Sequence, residues 1–488
     1  MMTPEHYEQS MQDLNLAVYM FGKRVSDLGS EPLLRPSRNA VAKTYEMAHR
    51  PEHQAVMTAT SHLSGKQINR FTHIFQNTQD LVLKTRMGRL LGAHTGCCFQ
   101  RCVGMDALNV LSIITHAIDQ AKGTSYTERF NRFLAHVQEN DLVCDGAMTD
   151  PKGDRSLAPH EQADPDLYLR VVEERRNGIV VRGAKAHQTG ALNSHEVIVM
   201  PTATLREADR EYAVSFAVPA NTSGITYILG RQSCDTRRSE NSPMDMGNLY
   251  FGGHEVLMVF DDVFVPWERV FMYKEFEYTG PLVEKFTAYH RQSYACKVGV
   301  GDVLIGATQT VAEYNGVAKA SHVRDKIVEM NHLNESLFCA TLACAYEGHA
   351  EPGGTYIVDS LLANVFKHNI AQFPYVLARI AQDIAGGLVV TLPSEADFRA
   401  PVTGPLMQKY YRGAASASTE NRMRILRLIE AMTMGSLAVG YLTESLHGAG
   451  SPQAQRIMIA RLVNMKEKQS FAKKLCGIQE DLPADYQP

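Results

Sequence analysis

The spacing of apolar residues changes twice along this chain, and this limits the folds that it can adopt. From residue 4 to about 143 apolar residues recur every three or four positions, as at Leu14, Val18 and Phe21, which predicts helices. Between about 145 and 280 the chain is rich in Gly, Pro and β-branched residues, which predicts strands. Helical spacing then returns. We expect an α+β fold with three units, at residues 1–143, 144–280 and 281–488, and a cleft that can hold a flat cofactor.

Asn177 and Gly178 predict a β-hairpin in the middle stretch. This pair is favoured in two-residue turns, and β-branched runs flank it on both sides. Further strands are predicted to begin near Glu196, Tyr212, Thr226 and Val256. The last strand should end at Pro266, since proline has no N–H to donate to a sheet.

Composition argues against several classes of protein. The 488 residues are 44% apolar, enough to bury a large core. The net charge is -4, with both signs interspersed, which does not favour a nucleic-acid partner or binding to a membrane surface. The N-terminal residues do not resemble a signal peptide, and we expect no window of about 20 apolar residues that could span a membrane. A cytoplasmic, soluble protein is therefore predicted.

Nine cysteines in a long, nearly neutral chain do not indicate a disulfide framework. In a reducing compartment such residues pack as small hydrophobes or act as ligands. Packing is predicted for Cys97 and for five isolated cysteines, namely Cys144, Cys234, Cys339, Cys344 and Cys476.

Cys98 and Cys102 are the exception, because residues four apart lie on one face of a helix. Together they could hold two corners of an inorganic cluster, with His290 and Cys296 supplied from a distant segment. A cluster with one imidazole corner can open that corner to a substrate oxygen, which points to iron used as a Lewis acid. The alternative is a helix face buried in the core.

Other segments could bind a cofactor or move protons. The loop Asp150–Arg155 could cradle phosphates or a ring edge, although such a loop is often simply solvated. Residues 183–190 and 383–387 combine small residues with hydrogen-bonding groups, but a Gly-Gly pair is more often a helix end. Glu255 and Glu444 lie in apolar surroundings, where a carboxyl group can exchange protons near neutral pH.

Taken together, these segments resemble the 4-hydroxybutyryl-CoA dehydratase family of flavin and iron–sulfur enzymes, which also have vinylacetyl-CoA Δ-isomerase activity. The resemblance covers nearly the whole chain and is carried by residues 98–106, 138–142, 145–155, 182–190, 230–237, 290–294, 296–302, 383–387, 393–398 and 447–461. It implies an acyl-CoA dehydrogenase-like fold with an N-terminal helical domain, a middle β-barrel domain and a C-terminal helical bundle. It also implies relatives among flavin-dependent 4-hydroxyphenylacetate monooxygenases.

The resemblance assigns roles to individual residues. The implied ligands of a [4Fe-4S] cluster are Cys98, Cys102, His290 and Cys296. The implied FAD contacts are Asp150, Lys152, Gly153, Asp154, Arg155, His187, Gln188, Thr189, Asp383, Ala385, Gly386 and Gly387. The implied catalytic residues are His290, Glu444, Glu255, Tyr294, Lys297 and Thr189. The family is typically a homotetramer that acts on an acyl-CoA.

One spacing departs from the family pattern. Five residues separate His290 from Cys296, one fewer than in the family. In an unbroken helix positions six apart are rotated by roughly 120°. Either the segment is locally irregular, or Cys296 reaches the cluster differently.

The expected reaction is dehydration of 4-hydroxybutyryl-CoA to crotonyl-CoA by a radical mechanism, with isomerisation of vinylacetyl-CoA. His290 is the candidate base for the α proton, and Glu444 and Glu255 are candidates for the second proton transfer. The alternatives are a flavin-dependent aromatic monooxygenase, an enzyme with isomerase activity alone, and a non-catalytic acyl-CoA-binding protein.

Overall fold

The computed structural model describes residues 1–231 and 236–479. Helices predominate in the first part of the chain, and their bounds are α1 Pro4–Asp13, α2 Arg35–His49, α3 Gln54–Met57, α4 Thr78–Thr95, α5 Cys102–Lys122 and α6 Tyr126–Glu139. Short strands lie between them, at β1 Val18–Met20, β2 Lys23–Arg24, β3 Thr58–Thr60 and β4 Gln67–Asn69.

The middle of the chain consists of strands, and helices follow it. The strands are β5 Cys144–Ala147, β6 Arg170–Arg175, β7 Gly178–Thr189, β8 Glu196–Val199, β9 Val214–Pro219, β10 Ile225–Leu229, β11 Glu255–Pro266 and β12 Val270–Tyr273. The later elements are α7 Thr279–Ser293, α8 Cys296–Tyr314, α9 Ser321–Tyr346, β13 His349–Ala350, β14 Tyr356–Ile357, α10 Ser360–Ile370, α11 Phe373–Ala385, α12 Leu388–Thr391, α13 Glu395–Arg399, α14 Thr403–Tyr410, α15 Thr419–Thr433, α16 Glu444–His447, α17 Pro452–Leu462 and α18 Met465–Leu475.

The strands of the middle stretch form two open sheets. One has the order β2-β1-β10-β11-β7-β6 and the other β12-β9-β8-β5, and within the described residues neither sheet pairs its two edges. Buried residues of both sheets, such as Val181 on β7 and Phe216 on β9, share one apolar cluster. The α+β class is confirmed, but the expected β-barrel is wrong, because the sheets bury their apolar faces against each other and do not close on themselves.

Several local predictions are confirmed by the strand pairing. The Asn177–Gly178 turn joins β6 to β7 with Arg175 opposite Gly178, and β11 ends at Pro266. The helix predicted from Leu14 to Phe21 is wrong. Val18–Met20 is instead strand β1, parallel to β10, because Asn15 and Phe21 both have positive φ angles that a continuous helix does not allow.

The isolated cysteines follow the packing prediction only in part. Cys97, Cys144 and Cys344 are buried, as expected. Cys339 and Cys476 are exposed, so the prediction is wrong for them. Both lie at surface positions of a helix or its end, where the amphipathic pattern rather than the residue type decides burial. Cys234 lies outside the described residues.

One helix of the described chain, α5, is long and apolar enough to cross a membrane by length and composition, contrary to the sequence expectation. However, 67% of its apolar window is buried inside the protein. A core helix meets the same criteria, and α5 packs against α6, α7 and β5.

Helices α4 and α8 pack with their backbones almost in contact. An ideal Cβ on Gly92 would lie 2.2 Å from the carbonyl oxygen of Cys296, and one on Gly299 would lie 2.0 Å from that of Arg89. Only glycine allows this approach. It brings the start of α8, with Cys296, against the end of α4, from which the Cys98 segment leaves.

We expect Gly299→Ala to destabilise the protein by about 1–3 kcal/mol, since the new methyl group must push two backbones apart. Gly306→Ala, on the same helix, is the matched control, because its Cβ would meet nothing within 4 Å. Removing a helical glycine there should stabilise by about 0.5–1 kcal/mol. Thermal unfolding of the variants measures both effects, and equal midpoints for them would contradict the packing argument.

Candidate functional site

Cys98 does not lie on the same helix as Cys102. Gly96, at φ 62°, ends α4, and Gln100 also has a positive φ of 59°, so the chain turns before α5 begins at Cys102. The expected helical i, i+4 arrangement is therefore wrong. The turn is fixed by Gln100, whose side chain donates to the carbonyl of His254 at 3.3 Å and accepts from Asn193 at 2.9 Å.

The structure nevertheless brings Cys98, Cys102 and Cys296 together. All three are free thiols, and two of them are buried, with Cys102 partly buried. Burial raises the pKa of each thiol, and the charges of the neighbouring thiols raise the pKa of Cys98 and Cys102 further. Cys102 and Cys296 pack in one apolar cluster, and an ideal Cβ on Gly440 would lie 3.8 Å from Cβ of Cys98 and 3.7 Å from the carboxylate of Glu444. The three predicted sulfur ligands therefore lie in one region of the protein.

The segment from His290 to Cys296 has a local irregularity. Helix α7 ends at Ser293 and α8 begins at Cys296, and the N–H groups of Tyr294 and Ala295 bond to carbonyls three residues back, at 3.2 and 3.0 Å. A turn with i→i−3 bonds rotates the chain by more per residue than an α-helix does. This reduces the angular offset between His290 and Cys296 that the six-residue spacing creates.

His290 is held on one side of its ring. Its Nδ1 lies 2.9 Å from Oδ2 of Asp106. The ring stacks on Phe286 with centroids 5.4 Å apart and meets Tyr294 edge-on at 5.6 Å. Within residues 1–231 and 236–479, Nε2 has no hydrogen-bond partner, so it is available for a ligand.

Two carboxyl groups lie next to the thiols. Lys297 Nζ pairs with Oε2 of Glu444 at 2.6 Å, and Thr189 Oγ1 donates to Oε2 of Glu255 at 2.5 Å. Burial and the charge of Glu444 raise the pKa of Glu255 well above its usual range. A cavity of about 10 Å³ is lined by Cys98, Glu255 and Glu444 among others. Glu444 directly follows a π-helical turn, Val439–Thr443, a feature frequent at functional sites.

Tyr294 packs between a glycine and two lysines. An ideal Cβ on Gly448 would lie 1.7 Å from the Tyr294 hydroxyl, so only glycine fits there. Lys297 Nζ lies 5.5 Å from the ring centroid, and Lys367 Nζ lies 4.8 Å from it. Lys367 also donates to the carbonyl of Ser445 at 2.7 Å. Burial, then the charges of Arg291 and Lys297, lower its pKa to about 7.

Sequence reasoning missed Lys84, Asp106 and Lys367. Asp106 could have been found, since it is the last residue of the segment 98–106 and lies one helical turn after Cys102. Lys367 stands alone in the apolar run of α10, a signal that a buried charge has a partner elsewhere. Lys84 has no comparable signal.

The predicted flavin segments fall into two places. Asp150 is buried and pairs with Lys185 at 2.7 Å, so its carboxylate holds the loop in place. His187 has a positive φ of 58°, and burial, then Lys152 and His447, lower its pKa. Gln188 Nε2 donates to the carbonyl of Thr149 at 3.4 Å, so residues 187–189 lie next to the start of the loop Asp150–Arg155.

A second cavity adjoins this loop. Its volume is about 160 Å³, and its lining includes Asp150, Lys152, Tyr168, Thr202 and Tyr212. The segment 383–387 lies elsewhere, at the end of α11. There Asp383 pairs with Lys326, and within the described part of the chain it forms no hydrogen bond to the other predicted flavin contacts.

The donor set fits a polynuclear centre rather than a single ion. In the ranges that the structure describes, no three His, Cys, Asp or Glu side chains are placed to hold one metal ion. A cubane cluster binds each ligand through a different iron atom, so its ligands surround a volume and do not meet at a point. Three gathered thiols and an imidazole with one free nitrogen are compatible with such a cluster.

Comparison with known proteins identifies relatives over the whole chain. The family model for the 4-hydroxyphenylacetate 3-hydroxylase N terminal region matches residues 3–272, and the C terminal model matches residues 279–477. A protein of Clostridium aminobutyricum named 4-hydroxybutyryl-CoA dehydratase/vinylacetyl-CoA-Delta-isomerase is 55% identical, covering 98% of this chain and 100% of its own.

Two solved structures show the same fold. An oxygen-tolerant archaeal 4-hydroxybutyryl-CoA dehydratase from N. maritimus superposes with a TM-score of 0.97 at 54% identity, covering 100% of this chain and 97% of its own. The oxygenase component of 4-hydroxyphenylacetate 3-monooxygenase, complexed with FAD, gives 0.86 at 23% identity, covering 98% of this chain and 100% of its own.

We expect Glu255→Gln to change how stability depends on pH. The raised pKa means that folded Glu255 keeps its proton above the ordinary carboxyl pKa of 4.5, where the unfolded chain has lost it. The folded state then binds more protons, so stability falls as the pH rises from 4.5 towards the raised pKa.

The glutamine variant has no carboxyl group to titrate at this position, so its stability should not fall in this way. Its free energy of unfolding should therefore rise relative to that of the wild type by up to about 1.4 kcal/mol per pH unit within that window. Thermal unfolding between pH 5 and pH 8, in roughly unit steps, measures the difference. Glu268→Gln, at an exposed position, is the control. Parallel pH profiles for Glu255→Gln and the wild type would rule out the raised pKa.

Proposed function

We propose that this chain, which belongs to the 4-hydroxyphenylacetate 3-hydroxylase family, is a 4-hydroxybutyryl-CoA dehydratase with vinylacetyl-CoA Δ-isomerase activity. Its substrate would be 4-hydroxybutyryl-CoA and its product crotonyl-CoA. The observation that carries the proposal is that Cys98, Cys102 and Cys296 lie in one region of the structure near Glu444. An aromatic monooxygenase of the same fold has no use for three gathered thiols.

The proposed cofactors are FAD and a [4Fe-4S] cluster. The cluster ligands would be Cys98, Cys102, Cys296 and His290 through Nε2, which Asp106 leaves free. The loop Asp150–Arg155 and residues 187–189 would contact FAD, and the related oxygenase binds FAD on the same fold. When bound, the flavin would supply one-electron chemistry for a radical mechanism, and the cluster would supply a Lewis acid for the 4-hydroxyl group.

The protein side chains would move protons and position the substrate. His290 Nε2 would accept the α proton, and the C–H electron pair would stay on the substrate as an enolate. Glu255, whose pKa is raised by burial and by Glu444, would exchange the second proton, aided by Thr189. Lys297 and Tyr294 would hold the thioester end of the substrate.

Further parts of the proposal concern organisation. We propose that the domain boundaries lie at residues 143/144 and 280/281. We also propose that the fold is acyl-CoA dehydrogenase-like and that the protein is cytoplasmic. A homotetramer is also proposed. In the described part of the chain Asp383 pairs with Lys326 and forms no hydrogen bond to the other predicted flavin contacts, which is compatible with a flavin shared between copies of the chain.

Metal analysis tests the cofactor assignment. Protein purified without air should contain both iron and FAD, and Cys98→Ala should lose iron and the visible absorbance of the cluster. Cys97→Ala is the matched control, because the Cys97 thiol points to the carbonyls of Cys98 and Gly252, at 3.5 and 3.7 Å. Unchanged iron content in Cys98→Ala would remove Cys98 from the ligand set, and wild-type protein without iron would refute the proposed function.

Paired assays test the reaction. We expect His290→Ala to lower turnover of 4-hydroxybutyryl-CoA by at least about 10²–10⁴-fold, since a positioned base contributes that much. Both 4-hydroxybutyryl-CoA and vinylacetyl-CoA should be assayed. Near-normal dehydration by the variant would refute the role of His290, and wild-type protein that converts only vinylacetyl-CoA would establish an isomerase alone.

A further inference from the structure

Asp106 stands at the centre of a buried network that no proposed catalytic step uses. It lies on α5, one turn after Cys102, and is completely shielded from solvent. Its Oδ2 accepts from Ser293 Oγ at 2.7 Å and lies 2.9 Å from His290 Nδ1. Its Oδ1 lies 2.8 Å from Nζ of Lys84. One carboxylate thus joins α4, α5 and α7.

Lys84 is the charged partner of Asp106. Its side chain is only 2% exposed, and Nζ also donates to the carbonyl of Tyr289 at 2.8 Å. The ammonium group lies 5.5 Å from the ring centroid of Phe75 and 5.3 Å from that of Tyr289. The carboxylate of Asp106 balances the charge of this ammonium, and the carbonyl and the two rings are its other partners.

The ionised carboxylate determines which nitrogen of His290 carries hydrogen. A carboxylate can only accept hydrogen bonds, so His290 Nδ1 must be the donor across the 2.9 Å contact. In the neutral ring the lone pair is then on Nε2. The contacts with Phe286 and Tyr294 keep the ring from rotating to exchange the two nitrogens.

We propose that Asp106, held by Lys84, is the positioning residue of His290, fixing the tautomer in which Nε2 has its lone pair free. The inference rests on the proposed function, because it gives His290 two tasks. Binding iron needs the Nε2 lone pair, and accepting the α proton of the substrate needs the same lone pair. One tautomer serves both tasks, so the ring can leave the metal and act as a base without changing its bond to Asp106.

The test replaces Asp106 with asparagine in the complete enzyme, purified without air. The amide can donate to His290 Nδ1 and so favour the opposite tautomer. We expect iron to be lost to a chelator roughly 10–100-fold more readily, the usual effect of removing such a carboxylate partner. Turnover of 4-hydroxybutyryl-CoA should fall by about 10⁴-fold, as when a histidine is held in the wrong tautomer.

Two further variants separate positioning from a loss of stability. Lys84→Met combined with Asp106→Asn removes the lysine that the single variant leaves unpaired in the core. If Asp106 positions His290, the double variant stays as deficient in iron retention and turnover as the single one. Asp119→Asn, on the same helix but at its far end, is the matched control and should keep both properties.

The outcomes distinguish this inference from the proposed function. Wild-type iron retention and turnover in Asp106→Asn would overturn it, and so would recovery of both in the double variant. In these cases the proposed function would stand. If the wild-type protein itself binds no iron, the proposed function fails, and the inference fails with it.

Discussion

Backbone contact between α4 and α8 positions the two halves of the thiol cluster. Gly92 and Gly299 let these helices approach until a Cβ would overlap the opposite carbonyl oxygen. The end of α4 leads into the Cys98 turn, and α8 begins with Cys296, so residues almost 200 positions apart in the sequence meet at one place. A larger residue at either glycine would separate the helices and, with them, the thiols. The site therefore depends on packing that involves none of its reactive groups.

Buried charges around the thiols occur in partnered sets. Lys84 pairs with Asp106, and Lys297 pairs with Glu444. Burial lowers the pKa of Lys297, but the combined charges of Glu444, Cys296, Cys98 and Tyr294 raise it well above its usual range. In a low-dielectric setting, removing one partner leaves the other uncompensated. For this reason a variant of any one of these residues needs its partner changed as well before a catalytic role is assigned.

The sequence predicted a turn that depends on local chemistry, but not the path of the chain between Cys98 and Cys102. The hairpin at Asn177–Gly178 followed from turn chemistry, which is local. The Cys98–Cys102 helix was wrong because a regular four-residue spacing does not reveal that Gly96 and Gln100 adopt positive φ angles. Lys84 could not be predicted, because its role comes from a contact with Asp106 that only the packing of α4 on α5 and α7 creates. Whether the β strands close into a barrel likewise depends on long-range pairing that no local pattern encodes, and here they form two open sheets.

The cations around Tyr294 give the proposed chemistry an electrostatic basis. Two lysines, Lys297 and Lys367, lie near the Tyr294 ring, and Arg291 is three residues before it in the chain. The carboxylate of Glu444 pairs with Lys297. Burial, and then the positive charges of Arg291 and Lys297, lower the pKa of Lys367 to about 7. Under the proposed function, loss of the α proton places a negative charge on the thioester oxygen. A cation held at that position stabilises the charge more than it stabilises the neutral substrate, which is the condition for lowering the barrier.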